Sequence, residues 1–153
     1  VPLQGREYPI IAREGNGAGF DGECFFLPPG LPPDEIKRVI IQIYRLVAKR
    51  ILTNKVIDYS RRMSVTPTAV KINSAKTRWG SCSSKNSINF SWRLVMADDD
   101  VIDYVVVHEL AHIREHNHSQ RFWKIVASTL PDYERRKKKL RELQQRLANE
   151  DWD

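Results

Sequence analysis

A run that is apolar on nearly every side, Val101 to Val107, leads without a break into His108-Glu109-Leu110-Ala111-His112, and one element has to accommodate both. Leu110, Ala111 and Ile113 continue the apolar character, and a helix apolar on nearly all faces belongs at the centre of a fold. The β-branched Val105-Val106-Val107 favours a strand. A strand, however, would set His108 and His112 about 13 Å apart, whereas a helix places them one turn apart on one face. Ala97-Asp98-Asp99-Asp100 supplies an N-cap and first-turn carboxylates that suit the positive end of a helix dipole. A buried helix over 98–116 is therefore expected.

Two imidazoles at that spacing reach one metal ion, and Glu109 beside them is placed to hold a metal-bound water. The competing reading is a core helix whose histidines are hydrogen-bonded and whose Glu109 sits in an internal ion pair. Without such partners or a metal, burial of these groups is costly. All four histidines fall at 108, 112, 116 and 118, so further donors follow within a short turn. A catalytic zinc keeps three protein ligands and one open position. His118 is the leading third ligand, with Glu134, His116 and Glu115 as alternatives. Asn117 suits a left-handed residue that ends the helix, and Ser119 suits the N-cap of the next one. Phe122 and Trp123 are expected to clamp His118.

The chemistry expected of such a site is peptide hydrolysis with one Zn2+ ion, which lowers the pKa of bound water from about 15.7 to about 7, and with Glu109 as general base. His116 reads either as a substrate contact or as an exposed bystander. Arg78 is a candidate substrate contact, although buried ion pairing is the stronger reading for it and for Arg93. His116, Arg78 and Tyr133 are the candidates for the donor that stabilises an oxyanion.

The rest of the chain predicts an α+β fold. Residues 1–30 read as a β segment: a strand from Tyr8 to Arg13, a turn at 14–19, and a second strand from Cys24 to Leu27. No helix opens after the turn glycines, which excludes a phosphate loop. Pro32-Pro33-Asp34 starts a long amphipathic helix over 34–63, with Ile36, Val39, Ile40, Ile43, Leu46, Val47, Ile51 and Leu52 as its buried stripe. Residues 69–92 are expected to form a sheet and hairpin; either Arg78–Ser83 or Ser87–Ser91 is a candidate edge for binding extended substrate by strand addition, and a hairpin that only packs the sheet onto the helix is the equal alternative. Helices over 119–149 complete a compact single domain, 1–153. Its small, mostly antiparallel sheet packs on the long helix and the central helix. Tyr133, Leu140, Leu143 and Leu147 are the stripe that docks the last helix.

At 153 residues the chain can bury a real core, and no apolar run is long enough to span a bilayer. No signal peptide is read, and Cys24 and Cys82 are too few for a disulfide framework, so a cytoplasmic setting is expected. The net charge of +6 favours acidic partners weakly. The basic run Arg135 to Arg141 points all around its helix, so a solvated helix is a better reading than a nucleic-acid stripe.

From Lys76 onward the chain resembles the YgjP-like metallopeptidase family, relatives of the SprT and WLM zincins. The residues that carry this are Thr77-Arg78-Trp79-Gly80-Ser81-Cys82-Ser83, Ile88-Asn89-Phe90-Ser91-Trp92-Arg93-Leu94, Tyr104 to His112, and Asn117-His118-Ser119 followed by Phe122-Trp123. The resemblance implies zinc held by His108, His112 and His118, Glu109 as general base, a compact zincin core and a cytoplasmic setting. Ala111 stands where the family often has Cys, so no thiol role carries over there. A metzincin is disfavoured, because Glu115 replaces the Gly of that motif and no Met follows His118. Peptides or proteins are the implied substrates. Analogy with SprT relatives that act on DNA-bound proteins, or a non-catalytic metal-stabilised module, is the alternative.

Overall fold

The computed structural model describes residues 1–15 and 17–150, so Asn16 of the predicted turn and residues 151–153 lie outside the described residues. Three small strand groups and four helices make an α+β architecture. In the N-terminal segment, β1 (Pro2–Leu3) pairs antiparallel with β2 (Arg6–Glu7). Next, β3 (Ile10–Ala12), β4 (Gly19–Phe20) and β5 (Phe25–Leu27) form a sheet of order β3-β5-β4. The first strand is shorter than the expected Tyr8–Arg13. Leu3, Phe25 and Leu27 are buried, which fastens this segment to the core.

Helix α1 (Pro33–Met63) opens with proline at its first position and acidic Asp34 and Glu35 in the first turn, as the helix dipole prefers. It buries Ile40, Ile43, Tyr44, Val47, Ala48, Leu52 and Val56. Leu46, expected in that stripe, is 73% exposed, because the stripe centres on Tyr44 and Ala48 and places Leu46 on the opposite side. Tyr44 stacks on the fully buried Trp92 at 5.3 Å, which ties the long helix to the layer beneath it.

Behind α1 lies a sheet of β6 (Ala69–Asn73), β7 (Gly80–Cys82) and β8 (Ser87–Ser91), in the order β6-β8-β7. Here the expectation of a mostly antiparallel sheet is corrected. β8 pairs parallel with β6 over five residues and antiparallel with β7 over three, and β3 and β5 are parallel as well. Alternation of apolar residues reports which face of a strand is buried; it carries no information on strand direction. The same order puts β8 in the middle, so Ser87–Ser91 is not an edge, and β6 and β7 are the two edges. The β6 edge is closed by α1: Lys49 donates to the Val70 carbonyl and Arg45 to the Ile72 carbonyl.

A 3-10 turn over Trp92–Met96, wholly buried, leads into α2 (Asp99–Arg114). Ten residues of α2 are buried, from Val101 to His112, so the central position predicted for it is observed. Asp98 occupies the N-cap position without a side-chain cap bond and pairs instead with Lys139 at 2.8 Å. The expected C-terminal helical span is two helices, α3 (Gln120–Thr129) and α4 (Tyr133–Leu147). Leu143 of α4 is buried and Tyr133, Leu140 and Leu147 pack partly against the core. The basic run of α4 is not simply solvated. Arg135 and Lys139 bond Asp100, while Arg136 bonds Asp132 and the Asp100 carbonyl, so α4 is pinned over the start of α2.

Candidate metal centre

Burial of α2 sets the stage, because it holds His108 and His112 on one face with their rings 5.1 Å apart. α2 then stops at Arg114, with Glu115 in an extended conformation. Asn117 is not left-handed, contrary to expectation; an extended residue suffices to turn the chain back. Ser119 caps α3 as predicted, its hydroxyl accepting from the Phe122 N–H at 3.3 Å. This turn brings His118 over the two helical imidazoles, its ring 4.7 Å from His112 and 5.2 Å from His108.

Nitrogen positions sharpen the picture. His112 Nδ1 lies 3.2 Å from the Glu115 carbonyl; an N–H donated from Nδ1 to that oxygen leaves Nε2 as the bare lone pair. That Nε2 is 3.1 Å from His118 Nε2. Two nitrogens bound to one tetrahedral zinc at about 2.05 Å stand about 3.3 Å apart. One potential ligand atom from each of His108, His112 and His118 falls within a 4.8 Å span. The donor set therefore fits a divalent metal that favours imidazole. Burial pushes the His112 imidazole below its usual pKa against the opposing pull of Glu109, a shift towards the neutral form that a metal requires of an imidazole.

Around the rings, Phe122 is the hub. It is fully buried, stacks on His112 at 4.4 Å, and meets His108 and His118 edge-on, each at 5.0 Å. Trp123 stacks on His118 at 6.0 Å. Glu109 is 5% exposed, with Oε2 accepting from His108 Nδ1 at 3.0 Å. A cavity of about 380 Å³ opens above these groups. Its remaining walls are Arg78, Gly80, Ser81, Cys82 and His116.

The other sequence candidates separate cleanly. Arg78 and His116 are exposed on the cavity wall, and the ion pair expected for Arg78 is absent among the described residues. Arg93 is buried, donating to the Ser74 and Ala75 carbonyls and lying over the Trp92 ring. Glu134 is exposed on α4 outside the histidine cluster, and Glu115 contributes its carbonyl to it. Tyr133 does not line this cavity.

The profile of the YgjP-like metallopeptidase domain matches residues 1–143. The chain belongs to the YgjP-like metallopeptidase family. Among solved structures, the metallopeptidase zymogen of Pyrococcus abyssi abylysin is 21% identical with a TM-score of 0.55, covering 63% of this chain and 95% of its own. That of Methanocaldococcus jannaschii jannalysin is 20% identical with a TM-score of 0.52, covering 61% and 95%. These two share the fold. No curated protein matches the sequence.

Two residues of this YgjP-like chain had no role assigned from sequence. Gly80 of β7 lies against the carboxylate: a Cβ there would stand 2.9 Å from Glu109 Cγ and 3.2 Å from Oε2. Tyr104, one turn before His108 and edge-on to it at 5.9 Å, is 3% exposed. Burial, with Glu109 second, pushes the Tyr104 hydroxyl up to about 12, so it stays protonated. Helical spacing carried the signal for Tyr104; nothing in the sequence shows which glycine meets a carboxylate. Burial and then Glu109 also raise the Cys82 thiol, which keeps this cavity residue from acting as a thiolate.

Proposed function

We propose that this metallopeptidase is a zinc-dependent peptide hydrolase in which His108, His112 and His118 hold one ion and Glu109 is the general base. The single observation that carries the reading is the approach of His112 Nε2 and His118 Nε2 to 3.1 Å inside a three-imidazole cluster, with Glu109 buried beside it. A zinc ion bound there supplies a water of lowered pKa and polarises a carbonyl. Glu109 accepts the proton of the attacking water and later delivers it to the leaving nitrogen, its carboxylate held in place by His108 Nδ1.

The substrate lies along β7. Ser91 N–H bonds the Trp79 carbonyl and Ser83 N–H the Ser87 carbonyl, which makes 79/91, 81/89 and 83/87 the bonded pairs. By the alternation of an antiparallel ladder, the main-chain groups of Gly80 and Cys82 then face away from β8. They form an open edge on the cavity side, whereas α1 covers β6. Arg78 and His116 on the wall contact a substrate carbonyl or carboxylate. Nucleic acid has no part in this reading, because much of the basic run of α4 is spent on aspartates. No helix among the described residues is long and apolar enough to cross a membrane, and two unbridged cysteines accord with a cytoplasmic setting.

The test is Glu109→Gln, scored for zinc content and for hydrolysis of a mixed peptide library. Retained zinc with turnover nearly abolished is the expected result. Wild-type turnover in this variant overturns the general-base assignment, and a wild-type protein that takes up no zinc overturns the whole reading.

A further inference from the structure

Adjoining the cavity at His118, α3 and α4 leave a second depression that a merely structural support for the imidazoles does not need. Trp123 and Ala127 stand one turn apart on α3, and Tyr133 faces them from the start of α4. The rings form a column, with His118 stacked on Trp123 at 6.0 Å and Trp123 on Tyr133 at 5.3 Å. Trp123 and Tyr133 remain half-exposed, although both are large aromatic residues beside a well-formed core. The rim is cationic. Lys124 is exposed on the depression, and Lys137 Nζ lies 4.7 Å over the Trp123 ring.

Resting on the function proposed above, we infer that this depression is a specificity pocket for a peptide substrate. It receives an aromatic side chain one or two residues from the scissile bond, and its rim favours an acidic residue beside that aromatic. Reach supports this. His118 lines both the cavity and the depression, and one or two extended residues span about 3.3–7 Å, the scale of the ring-to-ring steps. Chemistry supports it too. An aromatic floor rewards an aromatic guest in offset or edge contact, and two lysine ammoniums beside a pocket whose lining carries no acidic group reward a carboxylate.

The experiment uses the zinc-loaded Glu109→Gln protein and fluorescein-labelled decapeptides that differ at two adjacent positions, Phe or Ala and Glu or Lys, read by anisotropy. Burial of a phenyl group predicts that the Phe-Glu peptide binds about tenfold or more tighter than Ala-Lys. Adding Tyr133→Ala is expected to erase the Phe preference, Tyr133→Phe to retain it, and Lys124→Glu to reverse the Glu-over-Lys preference, all with zinc content unchanged. Lys124 is on the surface, so its variant tests the pocket even where Tyr133→Ala folds poorly. Peptides bound or cleaved without either preference, or preferences that survive both substitutions, overturn the pocket alone. A wild-type protein that neither binds nor cleaves any peptide overturns the pocket and the peptidase reading together.

Discussion

Gly80→Ala tests the contact on which the orientation of Glu109 depends. The added methyl carbon would sit 2.9 Å from Glu109 Cγ, 3.2 Å from Glu109 Oε2 and 3.2 Å from Phe90 Cδ1. Carbon atoms pack at about 3.5–4.0 Å, so one neighbour has to retreat by roughly half an ångström or more. Phe90 is fully buried and Glu109 nearly so, which leaves little free space for either. Overpacking of this kind costs about 1–3 kcal/mol. Gly80 lies outside the left-handed region, so alanine returns about 0.4–1 kcal/mol by restricting the unfolded chain. A net loss of about 1–2 kcal/mol lowers Tm by about 2–8 °C in a chain of this length.

The larger effect falls on catalysis. Displacement of a reacting group approaching 1 Å costs about 100-fold in rate, and the group displaced here is the proposed general base. None of the three atoms nearest the new methyl belongs to a histidine, so on the proposed reading zinc content is expected to stay at the wild-type level. The assay is kcat/KM on a cleaved peptide, with Tm from circular dichroism and zinc by elemental analysis on the same preparation. A Gly80→Ala protein within twofold of wild-type kcat/KM would refute the argument that β7 positions Glu109.

Three further predictions address other parts of the molecule. Phe122→Ala removes the ring packed against all three histidines; it is expected to cost about 3–5 kcal/mol and to weaken zinc binding about 10–100-fold in a chelator competition. Unchanged zinc affinity there would show that the imidazoles are held by other contacts. Burial raises the Asp100 carboxyl, but its bonds to Lys139 and Arg135 lower it more, so it sits below the usual aspartate value. Its contribution is full above that value and lost as pH falls through the depressed folded value; Lys139→Met should therefore lower Tm near neutrality and flatten its decline between about pH 5 and pH 2. A decline as steep as that of wild type contradicts the assignment. Joint replacement of Arg45 and Lys49 by alanine frees the carbonyls of β6, and concentration-dependent association in light scattering is the expected result. A variant that scatters as a monomer at every concentration at which wild type does shows that the β6 edge needs no cover.

The periodicity of this chain was enough to locate its helices and the face of α2 that carries His108 and His112, because a helix converts spacing along the chain directly into angle. Phe122 and Trp123 were legible as partners of His118 for the same reason: Ser119 caps a helix that begins beside it. What spacing does not encode is which distant segments meet. The parallel pairing of β6 with β8, the closure of β6 by α1, the approach of Gly80 to Glu109, and the anchoring of Arg135 and Lys139 on Asp100 all join residues far apart in sequence. Those contacts are chosen by how the layers pack and by which backbone edges and charges are left to be satisfied. Local pattern thus determined the ingredients of the candidate metal centre, and tertiary packing alone decided the open strand, the glycine and the aromatic depression around it.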